Sequence, residues 1–148
     1  MPGSPRASMV VSSMRTNTGC TIYNLYIVSG AECYQRTQLS AVAWQNRKAA
    51  NVIASGLLAA DSATVYIPLA LGVSYLKPLT WQALSVKTGY WTLAVGDVIV
   101  KGLVTDEITG GFTMTDLKAK YDDVVTIHSV DTMDAGSLSM QHWQVGAS

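Results

Sequence analysis

A chain of 148 residues fits one domain and is long enough to bury about two thirds of the surface its unfolded form exposes. Charged residues are 14% of the total and cancel to a net charge of zero, which excludes the broad basic field that nucleic-acid binders use to neutralise phosphates. A hydrophobic content of 49% leaves few charges to cover the exterior, so neighbouring subunits are expected to bury part of the apolar surface.

Residues 1–19 are rich in Ser, Pro, Gly and Thr around one apolar patch, Met9-Val10-Val11. That is the composition of an extended N-terminal arm without a core, either a docking arm or an expression remnant. The patch is too short and too polar-flanked for a signal peptide, and no run approaches the ~18 apolar residues of a membrane helix, so a soluble chain without a membrane partner is expected. The single domain is expected to span residues 20–148.

Thr21 to Val28 is a β-branched and aromatic run of strand length, and Tyr34 to Gln45 follows the Gly30 turn as its hairpin partner. With Ser29 to Glu32 as the turn, Cys33 faces Val28 and Cys20 faces Ala41, too far apart for a disulfide, so two free thiols are expected. In the second strand Leu39, Ala41 and Ala43 share one face and Gln38, Val42 and Trp44 the other. Ala49 to Ala60 fits a short helix or an irregular loop, because Ser55-Gly56 interrupts good helix formers. Ala63 to Leu69 alternates like a strand, and Pro68 marks an edge or a strand end.

Ala70 to Gly89 is a long excursion with a turn at Lys77-Pro78, and Trp81 to Val86 fits helix or extended chain equally. Strands are expected at Trp91 to Val95 and Asp97 to Leu103, broken at Gly96-Asp97, with a strand fragment at Phe112 to Met114. Thr115 is expected to cap a helical turn over Asp116 to Tyr121. Strands at Val124 to Val130 and Ser139 to Val145, joined by a turn at Asp131 to Gly136, complete the chain. The sum is an all-β fold, a small barrel or sandwich of about seven to nine short strands with one short helix.

Side chains that could carry chemistry do not converge. His128 and His142 fall on strands expected to pair; with Val130 opposite Ser139 the two rings point to opposite faces, and a slip of one residue sets them side by side, but two nitrogens do not complete a zinc site either way. Asp106-Glu107 and Asp122-Asp123 are adjacent carboxylates that point to opposite faces of extended chain or sit in turns. Ser129 beside His128 is no dyad, and nucleophile elbows and phosphate loops are absent. The reading is a non-enzyme with no catalytic residue, no metal and no cofactor. Trp44, Trp81, Trp91 and Trp143 are expected to pack in the core, with interface anchoring second. Arg36, Arg47 and Lys48 could form a local basic strip, with a solvated strand and turn the plainer expectation.

The segment Asp116-Leu117-Lys118-x-Lys120-Tyr121-Asp122-Asp123-Val124, closed by His142-Trp143-x-Val145-Gly146, resembles a small virion protein family of tailed phages and prophages encoded among the head and tail genes. The likeness runs in pattern from Thr21 to Gly146 and is specific over the last third. It implies a virion protein assembled in the host cytoplasm, a head-closure or stopper ring in the neck, with portal or adaptor and tail proteins as partners. DNA in the channel would be met by non-specific contact. Within that picture Leu71, Tyr75, Lys77 and Trp81, or Arg47 and Lys48 beside the 49–61 segment, are candidate interface or channel-loop residues, and Met9, Val10 and Val11 a candidate docking arm. A tail-terminator or tail-completion protein and a capsid decoration protein are alternatives of the same class; a small-ligand-binding barrel is the alternative from another.

Overall fold

The computed structural model describes residues 15–47 and 62–148. The expected arm residues Met9 to Val11, the 49–61 segment and Lys48 lie outside them. Six strands form one antiparallel sheet that closes on itself: β1 (Thr18–Val28), β2 (Ala31–Arg47), β3 (Ser62–Pro68), β4 (Val98–Lys101), β5 (Val124–Met133) and β6 (His142–Ala147). Round the ring the order is β1, β2, β3, β6, β5, β4, and β4 returns to pair with β1. Of the barrel or sandwich expected from the sequence, an all-β barrel is what forms, and the described residues hold six strands and two short α-helices, α1 (Pro78–Gln82) and α2 (Met114–Lys120).

The β1–β2 hairpin turns on two residues, Ser29 and Gly30, both at positive φ (51° and 80°), the pattern of a type I′ turn whose twist suits a hairpin. A turn this tight sets Val28 opposite Ala31, Tyr26 opposite Cys33 and Cys20 opposite Leu39. The expected register, with Cys33 facing Val28, is thus shifted by two residues, while both cysteines are free as expected. The two expected faces of β2 also merge. Thr18 faces Val42 while Cys20 faces Leu39, so three steps on β2 match two on β1. This bulge turns Leu39, Val42 and Trp44 all inward, where strict alternation would have split them.

Two expected strands are absent. Trp91 to Val95 makes only an isolated bridge, Trp91 to Tyr75, because side chains take its amides: Thr92 N–H donates to Asn24 Oδ1 and Ala94 N–H to Asp97 Oδ2. Phe112 to Met114 leads instead into α2, where Thr113 is the N-cap. Its Oγ1 accepts from Asp116 N–H, and Asp116 Oδ2 accepts from Thr113 N–H, a reciprocal box that starts the helix ahead of the expected Thr115. Pro68 is the last residue of β3, as its missing amide hydrogen suggested. At the other hairpin β5 runs on to Met133, and β6 starts only after a 3-10 turn at Leu138–Met140. Val130 therefore faces Val145 and not Ser139.

Every strand sends side chains into one interior, among them Ile22, Val42, Trp44, Val65, Ile67, Ile99, Ile127, Trp143 and Val145. A fully buried side chain of this size contributes about 1.5–3 kcal/mol over its exposed state. A second cluster of Tyr23, Val98, Val100, Val104 and Leu117 packs α2 and the 104–112 segment against β1 and β4.

Candidate interaction surface

Between β3 and β4 the chain makes its longest described excursion, residues 69–97, and two packed anchors hold it. The first is aromatic. The Tyr75 ring lies 4.4 Å from that of Trp143 and 5.2 Å from that of Trp91, and the two indoles are 5.5 Å apart, in tilted and edge-on arrangements that add to their burial. Gly72 makes this approach possible, since a Cβ there would stand 2.6 Å from the Trp143 ring. The second is Trp81 on α1, fully buried, its Nε1–H donating to Tyr90 O and its ring edge-on to Tyr26 at 5.8 Å. The Lys87 ammonium, 5.2 Å from both ring centroids, also donates to Gln82 O and Leu84 O.

A buried polar hub joins the excursion to β1. Asn24 Nδ2 donates to Thr92 O and to Asp97 Oδ2, both at 2.8 Å, while Asp97 also accepts from Leu25 N–H and Ala94 N–H. Burial pushes the Asp97 carboxyl above the usual carboxylate range, and these hydrogen bonds pull it back only in part. On the opposite side Asp106 Oδ2 accepts from Tyr121 Oη at 2.6 Å and from Lys120 Nζ at 3.0 Å, and Asp106 O accepts from Tyr23 Oη. The Tyr121 and Lys120 hydrogen bonds hold the Asp106 carboxyl below its ordinary range. The second of each adjacent acidic pair lies apart: Glu107 reaches Arg36 at 3.9 Å, and Asp123 O accepts from Lys101 N–H.

The excursion presents large apolar side chains outward among polar ones such as Lys77, Thr80 and Gln82. Val73 is 94% exposed and Leu79 87%, and Val95 and, on the 3-10 turn before β6, Leu138 are exposed as well. Val95 also borders a hollow of about 540 Å³ lined by Tyr75, Pro78, Leu93, Val130 and Trp143. Such a surface suits a protein partner better than a reaction. Of the candidate interface residues, Lys77 is exposed at the N-cap of α1, Leu71 and Tyr75 are half-buried against the core, and Trp81 is core, with no face to offer a partner. The residues that do face outward, Val73, Leu79 and Val95, carry no local signal, since nothing in their spacing separates them from the buried Leu93 and Val98. Arg47 ends β2, eleven residues beyond Arg36, so the two backbones stand roughly 35 Å apart and form no strip.

The histidines do not meet. His128 sits in a bulge between Ile127 and Ser129 and is exposed, whereas His142, facing Met133 at the other end of the pairing, stacks edge-on with Tyr66 at 5.4 Å. Among the described residues no three His, Cys, Asp or Glu side chains are grouped to hold a metal, and no helix is long and apolar enough to cross a membrane. Burial pushes the Cys20 thiol up to about 12, which removes it as a nucleophile at neutral pH.

No curated protein and no solved structure matches the chain. One family model does, over residues 15–148, nearly the whole length, and the chain belongs to that family, DUF6751, whose function is unknown.

Proposed function

We propose that this chain is a non-enzymatic structural protein of a tailed-phage particle, a head-closure ring subunit in the neck between portal or adaptor and tail. One structural observation favours an assembly role: the barrel interior is filled by side chains from every strand, while the exposed apolar residues Val73, Leu79 and Val95 sit on one long excursion. A filled barrel with an apolar outer face fits a wedge of a larger assembly. The phage context comes from the resemblance over Asp116 to Gly146. In this reading the 70–89 face meets the next subunit or ring, channel DNA is held by steric closure, and no bond is made or broken. The hollow lined by Tyr75, Leu93, Val130 and Trp143 favours a second reading, a small apolar ligand carrier.

Cryo-electron microscopy of intact particles, averaged about the portal axis, tests the proposal. A ring of this chain beneath the portal is the expected result. Density on the capsid lattice would mean decoration, density at the tail end a terminator, and absence from the particle would end the virion reading.

A further inference from the structure

β3 leaves β2 early. The last pair between them is Ala43 with Tyr66, after which β3 ends at Pro68, so among the described residues 31–42 of β2 keep a strand neighbour on one side only. In a two-residue hairpin of this kind the residues flanking the turn form the hydrogen-bonded pair. Ala31, Cys33, Gln35, Thr37 and Leu39 then aim their backbone groups at β1, and Glu32, Tyr34, Arg36 and Gln38 aim theirs outward. The partner strand has the same parity: Leu25, opposite Tyr34, turns its N–H away from β2 to Asp97 Oδ1 and its carbonyl to Gln82. Natural edges are blunted by proline, bulges or lysine, and residues 31–39 have none of these.

We propose that this open edge of β2 pairs with the same edge of a second copy, antiparallel and two-fold symmetric about Tyr34. Charge fixes the occupant and the register. Glu32 and Arg36 lie symmetrically either side of Tyr34, so in this register Glu32 of each copy faces Arg36 of the other, and every outward N–H at 32, 34 and 36 finds a carbonyl. Arg36 has capacity for the new contact: its Nη1 donates to Val104 O, and its Nη2 approaches Glu107 only at a long 3.9 Å. Beside the edge runs a groove of about 660 Å³ walled by Leu71, Val73 and Ser74, where an added strand would cover the exposed Val73. A two-fold contact closes on itself and does not propagate round a ring. It therefore belongs to the free chain and is independent of the neck reading.

Charge exchange tests it. Sedimentation velocity on the purified full chain, over a concentration series, is expected to show monomer going to dimer. Glu32→Arg, at an exposed position, and Arg36→Glu are each expected to remain monomeric. An equimolar mixture of the two should recover the dimer, because each unlike pair then regains two opposite-charge contacts. The double variant E32R/R36E should recover it alone. If Arg36→Glu fails to fold by circular dichroism, Tyr34→Pro replaces it: it removes one outward N–H without breaking the β1 ladder, and it too should be monomeric. A wild-type chain that stays monomeric overturns the proposal and leaves the edge to a strand of another protein. Glu32→Arg dimerising as the wild type does, or a folded mixture that fails to recover, also overturns it.

Discussion

At the scale of single residues, Asn24 makes three buried side-chain hydrogen bonds that tie β1 to the excursion. Its amide bonds Thr92 on both sides and steadies the Asp97 carboxylate, which is itself buried and kept above the usual carboxylate range. Removing it leaves Thr92 N–H, Thr92 O and one Asp97 hydrogen bond without their partner in a place water does not reach. A buried group left unsatisfied costs about 1–3 kcal/mol. Asn24→Ala is therefore expected to lower unfolding stability by about 2–4 kcal/mol, measured as the shift in a urea midpoint at unchanged slope. A shift below about 0.5 kcal/mol would mean that the hub is held from elsewhere.

Among elements, α2 is tied to the chain before it by Asp106, through Lys120 and Tyr121 at its C-terminal end. Because the folded carboxyl titrates below its unfolded value, its contribution is complete above the ordinary carboxylate pKa near pH ~4 and is lost as pH falls through the lowered folded value. Asp106→Asn should thus weaken the fold at neutral pH and flatten the loss of stability on acidification, read from thermal melts at a series of pH values. An acid limb as steep as the wild type's would show that other carboxylates set it. Which elements the sequence disclosed follows the same logic of local against distant cause. Thr21 to Val28, Ala63 to Leu69 and Val124 to Val130 were legible because β-branched alternation is a local signal. The β2 bulge was not, since apolar residues on both faces leave the alternation ambiguous. Trp91 to Val95 reads as a strand but is held by Asn24 and Asp97, partners that no local pattern announces. Trp81 reads as core by default and as an interface anchor second, on a long loop whose own packing has no local signal. Only the fold of 78–91 around Tyr26 and Lys87 shows it to be core.

For the molecule as a whole, three of the four tryptophans, Trp44, Trp91 and Trp143, lie in one cluster fed by all six strands. A single interior of this kind should unfold as a unit. Tryptophan fluorescence and far-ultraviolet circular dichroism are expected to report coincident urea transitions, and separated midpoints would mean that the excursion melts apart from the barrel. The topology also bears on refolding. β6 lies between β3 and β5, and Ser148 exchanges both backbone hydrogen bonds with Thr126, so the ring closes through the last of the six strands. Until β6 has docked, β3 and β5 both wait with an open edge. Distant pairings of this sort form slowly. The rate at which β6 docks should therefore govern how much of the refolding chain is lost to aggregation.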